Sequence, residues 1–220
     1  MVVLSSYSTS FVEGQDDRNH NIRLAAEKLD GAVIPPGEAW SFNQHVGPRT
    51  LERGWRAAPT LTIEGRELGE GGGVCLVSST VYNAMLLADL AILERSPHSR
   101  PIRYIPLGRD ATVDYGVKDL RVRNRHAFPV RIAARVVGRR LVVEVLGRRP
   151  LGYDVQLETA DSEPASPRKE IQVIDRTDDL AVAGVWVKLY RHRVKEGSVF
   201  ETERIGAASY YPFKIKAATR

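Results

Sequence analysis

Three consecutive glycines, Gly71-Gly72-Gly73, stand directly before the most apolar stretch of the chain. Glycine loses more conformational freedom on folding than any other residue, so a run of it marks a place where the backbone must approach another group closely or adopt angles closed to side chains. The stretch after the glycines is helical in period: Val77, Val81, Met85, Ala88 and Ile92 describe one apolar face, widened by Leu86, Leu87 and Leu90. The expectation is a largely buried core helix from Cys75 or Leu76 to Arg95, entered through a tight glycine connection. At 220 residues and 43% hydrophobic, the chain can bury a sizeable core around it.

The rest of the chain reads mostly as strands. Leu4 to Phe11 is a strand, and Asp16 or Asp17 opens a shorter helix through Leu29, with Ile22, Ala25, Ala26 and Leu29 on one face and Gly31 just past its end. Pro35-Pro36-Gly37 breaks the chain before an irregular stretch to about Arg56. Thr60 to Leu68 reads as a hairpin turning at Glu64-Gly65-Arg66 and presenting the glycine run. Beyond Pro97, strands are expected at Ile102 to Ile105, Ala111 to Val113, Leu120 to Val122, Val130 to Val137 and Leu141 to Leu146. Ala160 to Lys169, rich in Ser, Pro and Glu, reads as a mobile loop, and Val182 to Val194 with Val199 to Ile205 as a last hairpin. Together these give an α+β fold: a mainly antiparallel sheet packed against one long buried helix and a shorter N-terminal helix, with a C-terminal β-hairpin region.

Charge and cysteine usage narrow the function. A net charge of +5 suits anionic polymers in general, but no recognition helix, zinc spacing or aromatic RNA-binding motif accompanies it, so nucleic acid is not an expected partner. Arg121-Val122-Arg123-Asn124-Arg125 alternates as the solvated face of a half-buried strand does. The single cysteine excludes an internal disulfide, and without CxxC or a His-rich cluster no metal site and no cofactor is expected. Met1-Val2-Val3-Leu4 is too short an apolar run for a signal peptide or a membrane span, so membrane association is expected only through an anchor that these residues do not contain.

That cysteine, Cys75, falls where the glycines end and the helix begins. At a helix N-terminus the unpaired N–H groups and the dipole favour thiolate over thiol. A phosphate-binding loop is the other standard use of such glycines, but its spacing and its Lys-Ser/Thr are missing. A cysteine nucleophile needs a base and a group to orient it. His98, just past the expected helix, and Asp110, at the head of the next strand, come in the order found in papain-like and transglutaminase-like cysteine enzymes. Plainer roles stay open: Cys75 as a small buried hydrophobe, His98 as a turn cap, Asp110 bonded to local backbone. His45, in an irregular loop, is a spare imidazole.

Separated motifs run along most of the chain: Arg18-Asn19-His20-Asn21-Ile22, Pro36-Gly37-Glu38, Ser41-Phe42-Asn43, Val46-Gly47-Pro48-Arg49, Gly71-Gly72-Gly73-Val74-Cys75, Ser78-Ser79-Thr80, Glu94-Arg95, His98-Ser99, Tyr104-Ile105-Pro106, Gly108-Arg109-Asp110-Ala111-Thr112-Val113, Asp119-Leu120 and Asn124. In this order they resemble the VanW-like domain of bacterial cell-envelope proteins, with Ser209-Tyr210-Tyr211-Pro212 similar to the family's C-terminal part. The resemblance assigns residues 1–150 to a VanW-like core and 151–220 to a C-terminal β-rich extension of the same unit. It implies the extracytoplasmic face of the envelope but brings no settled reaction. One departure is Leu76, where the family usually has a glutamine able to donate to a polarised carbonyl. Two functions are expected from these residues. One is a cysteine-dependent amide hydrolase or transpeptidase acting on peptidoglycan stem peptides through Cys75, His98 and Asp110. The other is a noncatalytic module in which Gly72, Gly73, Arg18, Asn43, Arg49 and Arg109 line a groove for a peptide or glycan.

Overall fold

A computed structural model of the chain describes residues 1–61, 66–164, 171–174, 181–182, 184–210 and 213–216. In chain order the elements are β1 (Val2–Ser10), α1 (Asp16–Leu29), β2 (Val33–Ile34), β3 (Ala39–Ser41), α2 (Phe42–Val46), β4 (Ala57–Leu61), β5 (Arg66–Glu70), α3 (Val74–Leu87), β6 (Ala91–Glu94), β7 (Arg121–Arg123), β8 (Val130–Val137) and β9 (Arg140–Gly147). They continue with β10 (Asp154–Pro164), β11 (Ile171–Ile174), β12 (Ala181–Val182), β13 (Val185–Lys195), β14 (Ser198–Tyr210) and β15 (Phe213–Lys216). The fold is α+β and mainly antiparallel. A four-stranded sheet β1-β9-β8-β2, the small sheets β3-β7-β6 and β4-β5, and a second sheet β10-β13-β14 are antiparallel throughout, while β11 pairs with β15 in parallel.

The core forms where α3 lies on β1 and β9 and α1 lies on β8. Ile22, Leu29, Val77, Val81, Met85, Ile132, Val143 and Val145 are wholly buried there. Helix α3 is buried on nearly every side, as expected of a helix apolar all round. Its length differs from the sequence expectation. It stops at Leu87, which makes it 14 residues, the same as α1. The chain then passes through Asp89 at φ 58° and continues as the strand β6, so Ile92 packs from a strand instead of a helix. Two expected strands are also absent: 102–105 is a turn, and 111–113 pairs only through one bridge between Thr112 and Ser96. The supposed loop from Ala160 begins as the end of β10 up to Pro164, and 165–170 lie outside the described residues. The β4-β5 hairpin is present, with the turn residues 62–65 outside the described ones. The last hairpin, β13-β14, turns at Glu196 (φ 52°) and Gly197 (φ 79°), both left-handed as the twist of paired strands favours.

Candidate active site

The glycine run is shaped by close packing. A Cβ on Gly72 would sit 2.5 Å from the Ala58 carbonyl oxygen of β4. Gly73, the N-cap of α3, has φ 104°, and a Cβ there would meet Arg18 Cγ at 2.8 Å. The turn is pinned from α1: the Asn21 amide donates to the Gly72 and Arg56 carbonyls at 3.0 and 2.9 Å and accepts from the Arg56 N–H at 2.9 Å. Val74 and Leu76 donate their N–H groups back to Gly71 and Gly73, which starts the helix with Cys75 in its first turn. Cys75 is half-buried, while Leu76 is packed into the core, so the side chain after the cysteine does not line the site.

Polar residues of α3 then hold a distant segment against the thiol. Ser78 Oγ donates to the Ala111 carbonyl at 2.6 Å, and Ser79 Oγ accepts from the Ala111 N–H at 2.9 Å while donating to the Cys75 carbonyl at 2.7 Å. Asn83 donates to the Arg109 carbonyl at 2.7 Å and accepts from Arg109 Nε at 2.6 Å. This pairing carries Asp110 and Val113 alongside the first turn of the helix. The thiol donates to the Val113 carbonyl at 3.6 Å.

Asp110 in turn fixes His98. Its Oδ2 accepts both the His98 N–H and Nδ1, each at 2.6 Å, and its Oδ1 accepts Arg95 Nη2 at 2.7 Å and the Tyr210 hydroxyl at 2.5 Å. With Nδ1 committed to Asp110, Nε2 is the nitrogen left free to serve the Cys75 thiol, with which His98 interacts electrostatically. Burial works against the carboxylate, but the His98 hydrogen bond, Arg95 and Tyr210 outweigh it and hold Asp110 down at about 2. His98 is penalised by burial as well, yet Asp110 and the thiol raise it to about 9. Burial pushes the Cys75 thiol up; the hydrogen bond and charge of His98, a backbone bond from Val113 and the Arg49 charge bring it below its ordinary value. Thiol, imidazole and carboxylate are therefore electrostatically linked in a way that favours the thiolate and the imidazolium over their neutral forms. The partly buried Tyr104 phenol is held up by burial and by the charges of Cys75 and Asp110, and stays protonated.

The expected binding residues divide. Arg49 lies within electrostatic reach of the thiol, with Nη2 donating to Asn43 Oδ1 at 2.7 Å and the Phe42 and Tyr115 rings 5.7 and 5.9 Å from the guanidinium carbon. Arg18 borders Gly73. Asn43 is used inside the fold, its amide donating to the Asp114 and Lys118 carbonyls. Arg109 is turned to Asn83 and the Tyr7 ring, and Gly72 and Gly73 are packing positions. His45 is exposed and lies against Trp40. The sequence reading omitted Arg95 and Tyr210 from the site. Arg95 carried a signal, since it belongs to the Glu94-Arg95 motif, but Tyr210 reaches Asp110 from 100 residues away and only the fold brings it there.

A family model described as VanW like protein matches residues 17–146. The chain is similar to the uncharacterized protein YoaR of Bacillus subtilis (strain 168), 41% identical over 140 residues that make up 64% of this chain and 46% of that protein. It is also similar to the vancomycin B-type resistance protein VanW of Enterococcus faecalis (strain ATCC 700802 / V583), 32% identical over 117 residues, 50% of this chain and 42% of that protein. The chain thus spans less than half the length of either curated relative. No solved structure matches it. The matched segment contains Cys75, His98, Asp110 and Arg49 and ends before Tyr210.

Proposed function

The chain belongs to the VanW-like family, and from that premise we propose that it is a cysteine-dependent enzyme that cleaves or transfers an amide, with Cys75 as nucleophile, His98 as acid and base, and Asp110 as the group that orients the imidazole. The observation that carries the reading is an imidazole within electrostatic reach of the thiol and anchored on a carboxylate that accepts four donors. A histidine with a purely structural role needs no such anchoring within reach of a reactive sulfur. In the reaction the thiolate attacks the carbonyl carbon and a C–S bond forms. The imidazolium gives its proton to the departing nitrogen as the C–N bond breaks, leaving a thioester. Water or an amine, deprotonated by the now neutral imidazole, then attacks the thioester and restores the thiol. The acceptor decides between hydrolysis and transpeptidation.

The substrate we favour is a peptidoglycan stem peptide met at the extracytoplasmic face of the envelope. The relative named as a vancomycin B-type resistance protein supports that setting. We read residues 151–220 as part of the same unit, because Tyr210 and the Ala207 carbonyl both reach the site's polar cluster.

The test is the pH dependence of Cys75 alkylation by iodoacetamide in the folded protein. The midpoint is expected below the ordinary thiol value of about 8.5, and His98→Ala should raise it. A thiol inert until the protein unfolds would remove the enzyme reading and leave a binding module in its place.

A further inference from the structure

Within electrostatic reach of the thiol, one edge of the Arg49 guanidinium has no hydrogen-bond partner among the described residues. Nη2 is taken by Asn43, whereas Nη1 is buried and, among the described residues, has no hydrogen-bond acceptor. Buried donors are rarely left unpaired, and a donor on a cation is the costliest to leave so. Asp114 and Asp119 lie within electrostatic reach, but neither forms an ion pair with Arg49 among the described residues. The Asp119 oxygens are occupied by the Ser41 hydroxyl and by the Asn43 and Leu120 N–H groups. The guanidinium is thus held in place by Asn43 and by the Phe42 and Tyr115 rings, while the Asp119 carboxylate is engaged elsewhere and Asp114 stands exposed. Tyr115 is half-exposed, on the turn closed by the Asp114–Lys118 bridge, and is the outermost of these neighbours.

We propose that Arg49 is the carboxylate anchor of the site, and that the substrate is a peptide whose free terminal carboxylate lies close to the amide that Cys75 attacks. This rests on the cysteine-enzyme reading and narrows it. A carboxylate fits because it is planar and needs only one guanidinium edge, which is what Asn43 leaves. Tyr115 must turn aside to admit it. The anchor favours amides at a chain end over those in the middle of a peptide.

Two alkylating agents with the same leaving group test this without a known substrate. Iodoacetate and iodoacetamide both form a C–S bond at the thiolate and release iodide, but only iodoacetate brings a carboxylate. The ratio of their rates at Cys75 is taken relative to the same ratio in the denatured protein, which cancels the intrinsic difference between the reagents and any change in thiolate fraction. The folded protein is expected to favour iodoacetate by about tenfold or more, the worth of one hydrogen bond to a charged group. Arg49→Gln should abolish the preference, Arg49→Lys should keep part of it, and Arg121→Gln, an equal loss of charge at an exposed position, should keep all of it. If Arg49→Gln does not fold, loss of part of the preference in Arg49→Lys carries the test. An unchanged ratio in folded Arg49→Gln or Arg49→Lys overturns the anchor and leaves Arg49 serving only the thiolate. If neither reagent reacts with the folded protein, the enzyme reading fails and the anchor fails with it.

Discussion

Asp110 gathers four donors on two oxygens while almost wholly buried, a geometry that stabilises its charge and fixes the imidazole plane at once. Asp110→Asn keeps the shape and removes the charge. The His98 pKa should then fall from about 9, and the Cys75 alkylation midpoint should rise by about one unit or more, since an adjacent opposite charge moves a pKa by that amount. The folded Asp110 value is depressed, so its stabilisation is present above the unfolded value near 4 and is lost as pH falls through about 2. The loss is on the order of 2 kcal/mol, and acid unfolding curves of wild type and Asp110→Asn should differ in that window. His98 and Cys75 have opposite signs. The raised imidazole contributes stability below about 6.5 that is lost as pH rises through about 9, whereas the lowered thiol contributes stability that grows as pH rises toward its unfolded value. Cys75→Ser removes the thiol slope together with the thiol's share of the His98 rise, so its melting temperature should fall with rising pH through a lower window than that of wild type, one set by Asp110 alone. Cys75, His98 and Asp110 were legible in the sequence because their residue types and order suit one chemistry. Arg95 and Tyr210 join the cluster only as donors to a carboxylate, a role that many arginines and tyrosines could fill.

Element α3 shows where periodicity misled. No Gly or Pro separates Leu87 from Arg95, so the apolar pattern of a helix and that of the following strand merge into one. The break comes from Asp89, a non-glycine residue held at φ 58° by its carboxylate, which accepts from Arg193 Nε and Nη2 at 2.9 and 2.8 Å and from the Tyr153 hydroxyl at 2.6 Å. Those partners, in β13 and just before β10, are distant in the chain and leave no trace near Asp89 in the sequence. The segment carrying Asp110 was misread as a strand because its backbone bonds to serine side chains of α3 in place of a neighbouring strand. The glycine turn, by contrast, was legible, since no other residue fits it. Gly72→Ala would place a methyl against the carbonyl oxygen of Ala58 and force β4 away from the start of α3. A loss of about 1–3 kcal/mol in denaturant unfolding is expected, with slower Cys75 alkylation in the fraction that still folds.

At the scale of the whole molecule, the second sheet, β10-β13-β14, is joined to the core by charge as well as by apolar contact. Arg191 is fully buried, its Nη1 donating to the Leu86 and Leu90 carbonyls at 3.2 and 2.8 Å and its Nη2 pairing with Glu203 at 2.7 Å. Arg193 and Arg125 join the same cluster around Asp89 and Glu203. At the opposite end of β14, Tyr210 receives the Gly108 N–H at 2.7 Å and donates to Asp110. One end of this sheet thus closes on the end of α3, and the other supports the carboxylate at its beginning. Asp89→Ala removes the shared acid from two buried guanidinium groups, and breaking such a pair costs about 3–5 kcal/mol. If both regions form one cooperative unit, that variant should unfold at lower denaturant in a single transition, with Cys75 losing its lowered alkylation midpoint at the same denaturant concentration as the loss of β-sheet circular dichroism. A Cys75 that keeps its lowered alkylation midpoint after the Asp89→Ala sheet signal has fallen would mean that the second sheet opens alone. Tyr210→Phe separates support of the site from folding, because its ring still fills the same space. It should shift the alkylation midpoint while moving the unfolding midpoint by about 1 kcal/mol or less, and a shift in neither would leave Tyr210 as packing only.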